Sequence, residues 1–408
     1  MNPQSLSRRC LVLALAVQFG QFAATQTGAG ATHWVATWAS AQQQPRAAPP
    51  RPATGFNNQT VRMIVRTSIG GRRLRVQFSN AFGTAPVAIG AAHVALRDKD
   101  SGIVADSDRG LPFNGKVSGS ILPGALLLSD PVDLDVPPLG DLAISVYVPG
   151  DTGPATAHSL GLHTTYISKE GDFTGKPVLE DATTSQSWFW VSNVDVLAPA
   201  DAAAIVAFGD SITDGATSTP ITDRSWPSIL AQRLLSTPAT AHFAVVNQGI
   251  SGNRILGDGA GVSALARFDR DVLSQAGVKW LMILEGINDI GIGARQPGGA
   301  VTSDALIGAM RQMIERAHTH GIKVIGCTLT PYVGAGYASE NGETVREAVN
   351  SWIRTGGAFD AVVDFDAATR DPENPKQFRA AYNNTDRLHP NDAGYKAMAD
   401  AVDLSIFK

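Results

Sequence analysis

The sequence predicts an α/β fold: a parallel sheet covered by helices in the C-terminal half, preceded by a β-rich region of sandwich or jelly-roll type. Three observations carry this. After Ala198-Pro199-Ala200, short apolar runs alternate with stretches of helical period, the pattern of strands joined by crossover helices. Between about Trp34 and Leu197, short strand-like runs are separated by turn clusters, and helical periodicity is scarce. Gly (41) and Pro (23) together run above average, as a chain rich in turns requires.

The bulk numbers agree. At ~150 residues per domain, 408 residues suggest two to three domains. With 44% hydrophobic and 17% charged residues, the chain has ample material for a core, which excludes wholesale disorder. The net charge is −4 and no basic stripe appears, so nucleic acid is not the expected partner. The chain holds two cysteines, Cys10 and Cys327, too few for a cysteine-held metal site.

Residues 1–31 read as an export signal. Arg8 and Arg9 form the positive part, Leu11 to Phe19 the apolar part, and small residues run from Ala23 to Ala31. The apolar part is too short to span a bilayer, and no later segment is long enough, so no membrane anchor is expected. Ser7 to Leu11 loosely matches a twin-arginine pattern as well. The expected location is secreted or periplasmic.

Residues 32–199 form the expected β-rich accessory region. Val61 to Ile69 and Arg72 to Phe78, separated by Gly70-Gly71, read as a hairpin with a primed turn. In its second arm Arg73, Arg75 and Gln77 alternate with Leu74, Val76 and Phe78. Further strand-like runs are Val87 to Leu96, Ala125 to Leu128, Leu142 to Val148, Thr164 to Ser168 and Trp188 to Val196. Gln42 to Pro52, with four prolines, reads as a surface strap. Residues 200–408 form the expected catalytic region. Its predicted strands are Ala204 to Phe208, Phe243 to Asn247, Trp280 to Glu285, Lys323 to Thr328 and Ala361 to Phe365. Its predicted helices are Trp226 to Leu235, Ala264 to Gln275, Asp304 to His320, Glu343 to Thr355 and Asp392 to Leu404.

Sites in parallel sheets gather at the carboxyl ends of the strands, and four segments there carry chemistry. They are Phe208 to Ile212, Asn247 to Arg254, Glu285 to Asp289, and Asp386 to Pro390 before the last helix. Acyl transfer needs a nucleophile, a base to take its proton and an acid to orient the base. Ser211 at a strand–loop–helix turn is the candidate nucleophile and His389 the candidate base. Asp386, three residues earlier, can hold the imidazole tautomer. The oxyanion needs preorganised donors, for which the Ser211 N–H, the Gly252 N–H and the Asn288 amide are candidates.

These four segments resemble the four blocks of the SGNH (GDSL-type) hydrolase family. Gly209-Asp210-Ser211 is similar to its nucleophile block, Gly252 falls on the block-two glycine, Gly286 to Asp289 matches G-x-N-D, and Asp386 to His389 matches D-x-x-H. The resemblance covers about residues 200 to 408. It implies a three-layer α/β/α domain, a Ser211–His389–Asp386 triad, and an oxyanion hole from Ser211, Gly252 and Asn288. In the front half, Trp34 to Ala39, Asn57 to Asn80 and His163 to Ile167 are similar to bacterial secreted, acetylxylan-esterase-like members carrying an N-terminal β domain. The implied activity is a metal- and cofactor-independent serine esterase acting on a small-molecule or polysaccharide ester, with short acyl groups foremost. A lipase or lysophospholipase, or a carbohydrate-binding protein with a vestigial hydrolase half, are the alternatives.

Ser211 alone would read as a helix N-cap; its three partner segments favour the nucleophile. Asp210 and Asp214 read as braces of the turn. Asp210, Asn253, Arg254 and Glu285 lie near the same edge and are candidates for substrate contact, with structural ion pairing the other reading of Arg254 and Glu285. His158 and His163 read as structural, and His318 and His320 suit a helix C-terminus better than a metal. Trp188 and Trp190 read as core or interface, with a sugar platform as the sharper alternative. Cys327 reads as a buried small hydrophobe. Gly291 to Gly299 is a candidate mobile loop. No nucleotide-binding glycine motif is present, and no G-x-S-x-G.

Overall fold

The strand Ala203–Gly209 is the pivot on which the parallel-sheet region is built. The computed structural model describes residues 31–46, 53–292 and 300–408; nearly all of the predicted export signal, most of the proline-rich strap and Gly293 to Gly299 of the candidate loop lie outside them. Every residue of Ala203–Gly209 is buried, as a central strand covered on both faces requires. Phe243–Gly249 pairs with it on one side and Val278–Leu284 on the other, followed by Lys323–Cys327 and Ala361–Val363, all parallel. The chain thus steps one way from its first strand to its second, then reverses. Right-handed crossovers taken in opposite directions put their helices on opposite faces. Two helix groups result: Trp226–Leu235 packs with Asp392–Asp400, and Ser303–Thr319 packs with Ala264–Phe268 and Glu340–Thr355. The reversal leaves a crevice outside the carboxyl ends of the first three strands.

The β-rich region consists of two main antiparallel sheets. One has the order Thr32–Ala39, Val191–Pro199, Gly71–Ser79, Leu126–Leu128, with Val132–Val136 also on Gly71–Ser79. The other runs Thr183–Ser185, Thr165–Glu170, Gln59–Arg66, Asp141–Val148, Ala91–Leu96, Arg109–Gly110. Leu74, Val76 and Phe78 from the first sheet and Val61, Met63, Val65, Ile144 and Val146 from the second share one hydrophobic core. The alternation read from residues 73–78 therefore holds.

The hairpin does not. Gln59–Arg66 and Gly71–Ser79 lie in different sheets, so the connection between them crosses the sandwich instead of folding back. Alternation marks a strand with one buried face, but it is silent on the partner. Thr37 fixes the crossing: its Oγ1 accepts from the N–H of Ser68 and of Ile69 and donates to the Ile69 carbonyl. Gly70 is needed for space, since a Cβ there would lie 2.4 Å from the Val136 carbonyl oxygen. Other long runs break where the backbone does: Val87 to Leu96 divides at Gly90, and Trp188 to Val196 at Trp190, whose φ is +59°. The predicted helix Ala264 to Gln275 passes into a π-helical turn over Asp269–Leu273.

The change of texture at 199–203 separates two architectures but not two packing units. Residues 32–408 form one compact unit. The Ala36 N–H donates to the Ala276 carbonyl and Ser68 Oγ accepts from the Val245 N–H, each tying the β-rich region to the parallel-sheet region. Among the described residues no helix is long and apolar enough to cross a membrane.

Candidate active site

Ser211 opens the short helix Ser211–Asp214 directly after the first parallel strand. Asp210 caps that helix by accepting from the Ile212 N–H at 2.9 Å. The turn is so tight that a Cβ on Gly209 would lie 2.2 Å from the Leu284 carbonyl oxygen, so only glycine fits. Ser211 is thereby set at the mouth of the crevice, with its N–H making no hydrogen bond among the described residues.

His389 and Asp386 arrive from the far end of the chain. His389 Nε2 lies 2.7 Å from Ser211 Oγ. His389 Nδ1 lies 2.6 Å from Asp386 Oδ2, while Asp386 Oδ1 accepts from the backbone N–H of Leu388 and His389 at 3.0 Å each. Arg387 between them has φ +56°, the left-handed step that folds the aspartate back onto the histidine. Partial burial works against ionisation of Asp386, but the hydrogen bonds from the His389 ring and from the two N–H groups outweigh it and hold the carboxyl below its usual range. An ionised carboxylate only accepts, so Nδ1 carries the proton and Nε2 is left to accept from the serine hydroxyl. The segment is tied to the nucleophile's own loop: Thr217 Oγ1 donates to the Pro390 carbonyl, and Tyr395 Oη to the Ala216 carbonyl.

Gly252 and Asn288 complete the constellation from the second and third strands. Gly252 has φ +79°, which suits glycine and leaves its N–H without a partner among the described residues. Asn288 Nδ2 donates one hydrogen to the Asn253 carbonyl at 3.0 Å, and its second has no partner among the described residues. Its Oδ1 accepts from Tyr337 Oη at 3.2 Å, so the amide is held from both ends. Tyr337 was not singled out from sequence. It comes from an irregular segment before the helix Glu340–Thr355 and fits only because residue 291 is glycine, where a Cβ would lie 2.1 Å from the tyrosine ring.

The four candidates for substrate contact are placed differently. Asp210, Asn253 and Glu285 face the interior, each at most 1% exposed, and Arg254 lies along its own loop with Nη2 on the Asp258 carbonyl. The polar atoms of these three buried residues are largely enclosed by protein. Arg267 accounts for much of this. Its guanidinium donates to the carbonyls of Gly209 and Gln248 and to Asn253 Oδ1, forms an ion pair with Asp271 at 3.1 Å, and lies 3.6 Å from Glu285 Oε2. One buried side chain thus joins the ends of all three strands that carry the site. Burial, aided by the carboxylates of Asp289 and Asp214 and opposed by the Ile212 N–H and Arg267, pushes Asp210 up to about 7. Burial raises Asp289 to about 6 despite hydrogen bonds from Leu256 and Ile255, and burial together with Asp210 raises Glu285 well above the carboxylate range.

The remaining candidates resolve structurally. Trp188 is buried and donates to the Ile64 carbonyl, which leaves no exposed face for a sugar. His318 pairs with Asp360 at 2.8 Å and His320 turns to the Arg316 carbonyl on its own helix. Cys327 is buried, which raises its thiol pKa far above the usual range.

Comparison with known proteins bears on the same region. Among solved structures, similarity extends to an acetylxylan esterase from Geobacillus stearothermophilus (23% identity, 50% of this chain and 94% of that one, TM-score 0.39). It extends also to a GDSL-like lipase from Bacteroides thetaiotaomicron (22% identity, 50% and 87%, TM-score 0.37). No curated protein matches the chain. The sequence profile of the GDSL-like lipase/acylhydrolase family matches residues 205–402. That match runs from the strand before Ser211 to the helix after His389, so this part of the chain is similar to the GDSL-like lipase/acylhydrolase family, which supports a carboxylic ester hydrolase.

Proposed function

We propose that the chain is an exported serine esterase that removes short acyl groups, acetyl foremost, from carbohydrate. The observation that carries the mechanism is the unbroken hydrogen-bonded line from Asp386 through His389 to Ser211. His389 Nε2 takes the Ser211 proton as Oγ bonds to the ester carbonyl carbon. The resulting oxyanion sits among the Ser211 N–H, the Gly252 N–H and the free hydrogen of Asn288. Collapse breaks the bond to the alcohol, whose oxygen takes the proton from His389. Water then attacks the acyl-serine, gives its proton to His389, and the acid leaves as Ser211 Oγ is reprotonated.

The short-acyl preference is supported by the similarity of Trp34 to Ala39, Asn57 to Asn80 and His163 to Ile167 to acetylxylan-esterase-like members. Export is supported by the arginine–apolar–small-residue pattern of residues 1–31, and a polymer outside the cell is the natural source of such esters. A series of p-nitrophenyl esters from acetate to palmitate, run on the protein and on Ser211→Ala, tests the reading. Activity should peak at acetate or propionate and vanish in the variant. A peak at octanoate or beyond would reject the short-acyl substrate, and turnover surviving in Ser211→Ala would reject the mechanism.

A further inference from the structure

The β-rich region supplies a second histidine–carboxylate pair that the reaction above leaves unused. His158 lies in the two-residue strand Ala157–His158 and is buried. Its Nδ1 is 2.7 Å from the Ala41 carbonyl oxygen and its Nε2 is 2.9 Å from Asp214 Oδ1. A carbonyl and a carboxylate only accept, so both ring nitrogens donate and the ring is an imidazolium. Trp188 stacks on it, with ring centroids 5.7 Å apart and planes 27° from parallel.

Asp214 carries this contact into the active site. It is the last residue of the helix that begins at Ser211. Its other oxygen, Oδ2, accepts from both the N–H and the hydroxyl of Ser251, at 2.9 and 2.6 Å. Ser251 in turn provides the carbonyl half of the peptide whose N–H belongs to Gly252. A chain of three charge-assisted contacts therefore runs from the β-rich region to an oxyanion donor.

We propose that His158 is a positioning residue for the oxyanion hole: it holds Asp214, Asp214 holds Ser251, and the Gly252 N–H is thereby aimed at the developing oxyanion. The inference rests on the reading of Gly252 as a donor. It gives the β-rich region a share in catalysis, because the accessory half contributes a charge that the catalytic half needs to fix its own loop. It also accounts for an ion pair at a depth where apolar packing would serve stability equally well.

His158→Phe keeps a ring against Trp188 and removes both donated hydrogen bonds. Losing an entire oxyanion donor costs about 10²–10³ in rate, so misaiming one should lower kcat on p-nitrophenyl acetate by about 10- to 100-fold, with KM changed by less than about twofold. Affinity for a boronic acid, which forms a tetrahedral adduct on the serine, should fall in parallel with kcat. Rates are to be expressed per site titrated with an organophosphonate, so that unfolded protein does not count. His163→Phe is the control. It removes a histidine–carboxylate pair with Asp223, 2.9 Å apart, beside the same tryptophan but outside the chain of contacts, and should leave kcat per site unchanged. Ser251→Ala, which deletes one hydrogen bond at the far end, should show the same pattern at smaller amplitude, and it decides the matter should His158→Phe not fold. A kcat per site within about twofold of the parent in His158→Phe, or in Ser251→Ala where His158→Phe does not fold, would overturn the inference. If Ser211→Ala is inactive in the same assay, the esterase reading survives that result; activity in Ser211→Ala would remove both.

Discussion

Arg62 in the β-rich half and Arg267 in the parallel-sheet half are both buried, and the two are used in opposite ways. In the β-rich region Arg62 is 0% exposed, and all its hydrogen-bond partners are neutral: Ser145 Oγ and the carbonyls of Ser101, Thr174 and Lys176. Burial, eased in part by Asp108, lowers it to about 10. It staples two loops to the outer face of a sheet. In the catalytic region Arg267 is 1% exposed and lies 4.0 Å over the Phe208 ring, and its partners include the carboxylates of Asp271 and Glu285. It ties together three strand ends from which the active site is built. Sheets of either kind can enclose a charge, but a parallel sheet brings separate segments to one edge, where a single cation can organise them all.

The contrast can be tested by breaking it. Arg267→Met removes the cation beside buried Glu285 and orphans the carbonyls of Gly209 and Gln248, and should destabilise the fold by about 3–5 kcal/mol in denaturant unfolding. Its folded fraction should also be slower in turnover, because the loops that carry Gly252 and Asn288 lose their common anchor. Asn288→Ala removes one oxyanion donor and should cost about 10²–10³ in kcat, with unfolding little changed. Arg62→Met should cost about 1–3 kcal/mol in stability, the scale for orphaned hydrogen bonds, and leave kcat of the folded protein intact. A fall in kcat there would mean that the two regions are not divided in the way the arginines suggest. Tyr337→Phe removes a single neutral hydrogen bond to Asn288 and should lower kcat by about two- to tenfold, with the loss concentrated in kcat and not KM.

The same division explains what could be read from the sequence. That the segments carrying Ser211, Gly252, Asn288, Asp386 and His389 meet was legible, because the strand–helix alternation puts them at one edge of the sheet. Strands such as Gly71–Ser79 were legible from alternation, whereas their partners were not: pairing is set across the sandwich, and Thr37, not the Gly70-Gly71 pair, governs the crossing. Arg267, Tyr337 and His158 were illegible as parts of the site for a related reason. Each reaches it from an element that carries no motif, and each acts by touching a residue that does. The burial of Asp210, Asn253 and Glu285 was not legible, because closeness to the edge in sequence does not distinguish a side chain that faces outward from one that faces the core.

In the proposed reaction Ser211 carries the acyl group between the two half-reactions. Mixing the protein with p-nitrophenyl acetate, quenching in acid within the first turnovers and mapping the digest by mass spectrometry tests this directly. The expected result is one acetyl group on the peptide containing Ser211, lost in Ser211→Ala. Full turnover in Ser211→Ala, or an acetyl group that maps to another residue and is competent in turnover, would contradict it.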